Sequence, residues 1–171
     1  MKTLPKLTLV LGGAACGKST YAEGLITGSG LQKVYLATAQ VYDDEMAAKV
    51  ARHRDMRGAG WITHEEPHHP GAILSQATPD QAVLLDCATL WLTNVMLADN
   101  DIPAASARLL QDLLACPAPV VVVSNEVGQG IVPDNALARR FRNAQGALNQ
   151  ALAAQADHVV AVMAGLPLVL K

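Results

Sequence analysis

Gly12-Gly13-Ala14-Ala15-Cys16-Gly17-Lys18-Ser19 fits G-x-x-x-x-G-K-[ST], the Walker A phosphate loop. Its chemistry follows from its residue types. Glycines let the chain curl and let a phosphate approach the main chain. Amide N–H groups of the loop, with the first turn of a following helix, then converge on one anion. Lys18 would reach the β- and γ-phosphates, and the Ser19 hydroxyl would ligate Mg²⁺. The flanks agree with the motif. Leu7–Leu11 is a short apolar run of strand type, and 20–26 reads as a helix.

Val83-Leu84-Leu85-Asp86 is an apolar strand ending in a carboxylate. This is the Walker B pattern, in which Asp86 would hold Mg²⁺ directly or through water. A third apolar run, 120–124, leads into Asn125 and Glu126. These two either face the site or satisfy loop backbone.

The segment 43–57 contains a further candidate. Asp43 or Asp44 suits a helix start, where acidic residues oppose the dipole. At helical spacing Met46, Val50, His53 and Arg57 share one face, and Lys49 and Arg57 each lie four residues from His53. Two cations beside an imidazole favour its neutral, nucleophilic form. From the residues alone, a histidine bordering an apolar stripe is read as structural or solvent-exposed. His64, His68 and His69 form a cluster that Pro67 breaks, with no cysteine to complete a zinc site. Arg139, Arg140 and Arg142 read as a solvated helix face.

These groups need a scaffold, and composition restricts which one. The chain has 171 residues, which suits a single nucleotide-binding domain over 1–171. It is 51% hydrophobic but only 4% aromatic, so its core is built from Ala, Val and Leu. Strand candidates at Leu7–Leu11, Val34–Thr38, Ala82–Leu85, Val120–Ser124 and Val159–Met163 alternate with helical segments. The helices are expected at Lys18–Ile26, Asp43–Arg57, Leu90–Ala98, Ala104–Ala115 and Pro133–Ala156, the last starting at Pro133 and Asp134. The expectation is an α/β fold of P-loop NTPase (RecA-like) type: a mostly parallel sheet with helices on both faces. Leu168–Leu170 would return as an antiparallel C-terminal edge strand. The segment 58–79 looks the least regular and should lie at the surface.

The formal charge is −2, with no basic run, so no nucleic-acid partner is expected. No apolar run is long enough for stable membrane insertion, and the N-terminal residues lack a signal-peptide core. Cys16, Cys87 and Cys116 form no C-x-x-C pair. Three free thiols suit a cytoplasmic location.

Taken together, the motifs resemble the bifunctional adenosylcobinamide kinase/adenosylcobinamide-phosphate guanylyltransferase family of cobalamin biosynthesis. The resemblance rests on the Walker loop, 35–40, 43–46, 53–57, Trp61, Glu65, 84–94 and 124–133, in order along nearly the whole chain. It implies two reactions. ATP or GTP first phosphorylates adenosylcobinamide. GTP then donates GMP to the resulting phosphate through a histidine-GMP intermediate. The match places the carrier role on His53, with Lys18 also catalytic. It implies nucleotide contacts at 12–19, at Ala37, Thr38 and Ala39, at Arg54, Asp55, Met56 and Arg57, and at Glu65 and Asp86. Ser19 and Asp86 would hold Mg²⁺. Ala15 and Cys16 depart from the Arg-Ser that some relatives carry, which leaves the loop amides in place. The resemblance also implies a homo-oligomer, a trimer. Two other readings are a monofunctional P-loop small-molecule kinase and a non-enzymatic nucleotide-binding regulator.

Overall fold

The computed structural model describes residues 3–40, 44, 47, 48, 51 and 57–171. Within them the chain forms seven strands: β1 (Leu7–Gly12), β2 (Gln32–Ala37), β3 (Trp61–Glu65), β4 (Gln81–Asp86), β5 (Val120–Asn125), β6 (His158–Met163) and β7 (Leu166–Val169). The helices are α1 (Lys18–Ser29), the single turn α2 (Gly71–Leu74), α3 (Ala88–Leu97), α4 (Ile102–Ala115) and α5 (Ala136–Gln155). The strands form one sheet in the order β3-β2-β4-β5-β1-β6-β7. Every pairing is parallel except β6 with β7, which is antiparallel.

Strand residues alternate between the two faces, and both faces are covered. Leu7, Leu9, Val34, Leu36, Val83, Leu85, Val120 and Val122 join a core with Trp91, Leu92, Leu109, Leu113, Leu148 and Leu152 of α3, α4 and α5. The intervening Val10, Tyr35, Leu84, Val121 and Val123 pack on the other face with Ala22 and Ile26 of α1. Because both faces are buried, these strands read as unbroken apolar runs.

Two expectations are corrected. The segment 58–79 contains β3 and α2, and β3 pairs with β2 from Lys33↔Trp61 to Ala37↔Glu65. As an edge strand, β3 exposes Ile62, Thr63 and Glu65, so it lacks the apolar run that marks its neighbours. The long helix begins at Ala136, not Pro133. Asn135 caps it, its Oδ1 accepting from the Ala138 amide at 2.8 Å. The C-terminal antiparallel edge strand is present as expected. The 43–57 helix falls largely on residues outside those described.

Candidate active site

Parallel pairing brings the carboxyl ends of β1, β2, β4 and β5 to one edge of the sheet. Gly12 lies opposite Asn125, and Ala37 opposite both Asp86 and Glu65. In open α/β sheets this edge is where ligands bind.

The phosphate loop follows β1 and opens α1. Gly17 stands at the helix N-cap with φ +94°, a left-handed conformation that glycine adopts without strain. A Cβ there would lie 3.1 Å from the Gly165 Cα, so the backbones approach more closely than a side chain allows. A Cβ on Gly12 would lie 2.7 Å from the Val162 carbonyl oxygen and would also strike the Cys16 Sγ. Cys16 thus packs beside Gly12 within the loop. Lys18 folds back across the loop, its Nζ donating to the Gly13 carbonyl at 2.9 Å.

Asp86 ends β4. The Tyr35 hydroxyl donates to its Oδ2 at 2.7 Å. The Tyr35 ring is buried and meets Trp61 edge-on, with centroids 6.0 Å apart. The Arg57 guanidinium stacks on the same ring, its Cζ 3.3 Å from the centroid. Arg57 Nε and Nη1 are buried and have no hydrogen-bond acceptor among the described residues. Burial, then the charge of Asp86 and the hydrogen bond to it, push the Tyr35 phenol far above its ordinary range. It therefore remains a donor.

Glu23, one helical turn beyond Ser19, joins this group. Burial raises its carboxyl pKa; the Arg57 charge opposes that and the Asp86 charge adds to it. The thiol of Cys87 is pushed up to about 11, chiefly by burial and then by Asp86, while Lys18 acts weakly in the opposite sense. Asp86 and Lys18 thus act on the Cys87 thiol in opposite senses.

Thr38 is fully buried. Its hydroxyl accepts from the Cys87 amide at 2.9 Å and donates to the Cys87 carbonyl at 2.7 Å. Its own carbonyl accepts from Asn94 Nδ2 at 2.8 Å. Thr38 therefore clamps β2 to the start of α3, and Ala37 and Ala39 are the more exposed members of the turn. Glu65, exposed at the end of β3, is brought beside Ala37.

Glu126 satisfies loop backbone: its amide donates to the Gly12 carbonyl at 3.0 Å and its Oε1 accepts from the Gly128 amide. Asn125 presents a buried Oδ1 with no partner among the described residues. Arg139 and Arg142 are more than a solvated face. They donate to the Pro133 and Gly128 carbonyls at 2.9 and 2.6 Å, tying the β5–α5 loop to its helix. His68 meets Gln40, with Nε2 to Nε2 at 3.3 Å. Among the described residues no three His, Cys, Asp or Glu side chains gather as a metal centre. His53, Arg54, Asp55 and Met56 lie outside the described residues.

Sequence reading singled out neither Glu23 nor Tyr35 as a site residue. A signal existed for Glu23, whose i+4 spacing from Ser19 places it on the same helix face. The contact of Tyr35 with Asp86 required the β2–β4 register.

A family model described as cobinamide kinase / cobinamide phosphate guanyltransferase matches residues 8–170. The chain belongs to that family. The bifunctional adenosylcobalamin biosynthesis protein CobU of Salmonella typhimurium is 45% identical, over 96% of this chain and 99% of the relative. The corresponding protein CobP of Pseudomonas aeruginosa is 45% identical, over 95% and 96%. CobU of Escherichia coli is 41% identical, over 96% and 99%. Solved structures show the same fold at low identity. The RadB recombinase superposes with TM-score 0.55 at 18% identity, over 92% of this chain and 74% of that one. The flagellar accessory protein FlaH from Methanocaldococcus jannaschii gives 0.53 at 10%, over 98% and 80%. The family fold here is thus a RecA-like P-loop fold. No helix among the described residues is long and apolar enough to cross a membrane.

Proposed function

We infer that this chain carries both activities of its family at one sheet edge. It phosphorylates the alcohol of adenosylcobinamide with ATP or GTP, then transfers GMP from GTP to the phosphate. The observation that carries this reading is the convergence of the phosphate loop, Asp86, Arg57 and the Ala37–Ala39 turn on one edge, in a chain matched almost end to end.

In the first reaction the loop amides and Lys18 hold the triphosphate, and the substrate hydroxyl attacks the γ-phosphorus. The new O–P bond forms as the bond to the β-phosphate oxygen breaks, leaving a nucleoside diphosphate, and the hydroxyl proton passes to solvent. In the second, a His53 ring nitrogen bonds to the α-phosphorus of GTP and pyrophosphate leaves. The substrate phosphate oxygen then displaces the imidazole, giving adenosylcobinamide-GDP. The buried donors of Arg57, without an acceptor among the described residues, suit an anionic ligand, and Lys18 opposes charge on the departing phosphates. Arg54, Asp55 and Met56 belong to the same proposed contact set, with Glu65 beside the turn at Ala37.

The residues present fit Mg²⁺. Ser19 offers a hydroxyl at the first turn of α1, and Asp86 keeps one carboxylate oxygen outside its bond to Tyr35. An all-oxygen pair of protein ligands that leaves room for waters and phosphate oxygens is what Mg²⁺ prefers. Bound there, the ion supplies charge neutralisation on the phosphates.

We further infer a homo-oligomer, a trimer by family resemblance, acting in the cytoplasm without nucleic acid. The exposed Leu166, Leu168 and Val169 of edge strand β7 support association.

Incubation with α-labelled GTP tests the carrier. The expected result is acid-labile, base-stable label on the wild type and none on His53→Ala, with phosphorylation of the alcohol retained in both. Absence of label from the wild type would leave a monofunctional kinase.

A further inference from the structure

Tyr35 lies in mid-strand on β2, on the face packed by α1, in register with Leu84 and two residues before Ala37. Its ring is held on two sides, by the edge-on Trp61 and by the Arg57 guanidinium at 3.3 Å. From this fixed ring the hydroxyl reaches forward to Asp86 Oδ2 at 2.7 Å. Asp86 makes no other side-chain bond among the described residues. A carboxylate at a strand end rotates freely about Cβ–Cγ unless one oxygen is held. Here the phenol holds Oδ2 and leaves Oδ1 for another partner.

We propose that Tyr35 is a positioning residue for the nucleotide-bound divalent cation, fixing the Asp86 carboxylate so that one oxygen faces the ion. This rests on the reading of Asp86 as a cation ligand. Partners that orient metal ligands in this way typically affect metal affinity by about 10-fold to 100-fold.

Mn²⁺ binding to the protein–GTP complex, followed by water-proton relaxation and electron paramagnetic resonance, tests the proposal without turnover. Tyr35→Phe keeps the ring against Trp61 and Arg57 and removes only the donor. The expected result is Mn²⁺ affinity weakened about 10-fold, with metal-free GTP binding within twofold of wild type. Asp86→Asn is the control. If Asp86→Asn loses Mn²⁺ while Tyr35→Phe binds it within twofold of wild type, the positioning role is overturned. If Asp86→Asn also retains Mn²⁺, the reading of Asp86 fails and takes the proposal with it. A second measurement does not depend on the variant folding. The chain has three tyrosines, and in 3-fluorotyrosine-labelled protein the Tyr35 fluorine resonance should shift on Mg²⁺ addition to the GTP complex. A resonance that does not move overturns the proposal.

Discussion

The Gly165 amide donates to the Cys16 carbonyl at 2.8 Å, so the turn of the C-terminal hairpin is bonded to the back of the phosphate loop. The two residues are far apart in sequence and meet because β6 lies beside β1. Gly165 has φ +78° and the preceding Ala164 has φ +51°, so the turn depends on left-handed backbone. Gly165→Val should lower stability by about 1–3 kcal/mol, because a β-branched residue is strained there. It should also weaken GTP binding several-fold by loosening the loop. Thermal melts and calorimetric titration with GTP check the two effects. Unchanged GTP affinity would show that the hairpin does not support the loop.

Gly12 gives a sharper expectation. Gly12→Ala places a methyl against Cys16 Sγ and the Val162 carbonyl. Backbone cannot yield as a flexible side chain can, so Cys16→Ala should not restore the double variant. Gly12→Ala should lose most GTP binding, whereas Cys16→Ala alone should keep it, because the loop amides are unchanged.

The thiols should differ in accessibility. Cys87 and Cys116 are buried, and Cys16 is partly exposed. Native protein treated with a maleimide should therefore label at Cys16 first, and GTP should slow that reaction. Mass spectrometry of peptides reads the site. Early modification of Cys87 would contradict both its burial and its raised pKa of about 11.

Thr38→Val retains shape but removes the hydroxyl that both accepts from and donates to Cys87. The Cys87 amide and carbonyl would be left buried without that partner. A loss of about 1–3 kcal/mol in urea denaturation is expected. A loss well below that range would mean that the β2–α3 clamp has other support.

Glu23 gives a pH-dependent test. Its folded carboxyl pKa is raised above the ordinary 4.5, first by burial. A raised pKa makes ionisation in the folded state unfavourable. The cost is absent well below pH 4.5 and grows as pH rises through the folded value. Glu23→Gln should therefore be more stable than wild type at neutral pH, with the difference vanishing in acid. Urea midpoints measured across that range decide the sign. A variant equally destabilised at every pH would contradict it.

Much was legible in the sequence because it is local. The phosphate loop is a contiguous stretch whose amides and helix start are fixed by neighbouring residues. The strands from 7, 34, 82, 120 and 159 onward announce themselves because burial on both faces demands unbroken apolar runs. Asp86 follows from its place at the end of one of them. By contrast β3 was hidden, since an edge strand has one unpaired side and tolerates exposed polar residues. The long helix began later than its proline suggested, because the Asn135 side chain meets the Ala138 amide there.

What only the tertiary structure decided was which distant groups touch. The β2–β4 register places Tyr35 against Asp86 and brings Thr38 to Cys87. The β3 pairing carries Glu65 alongside Ala37, and the β1–β6 pairing carries Gly165 to the phosphate loop. Residue types and spacing within one segment specify local conformation. Contacts between segments depend on strand order and register, which come from burying both faces of the whole sheet at once.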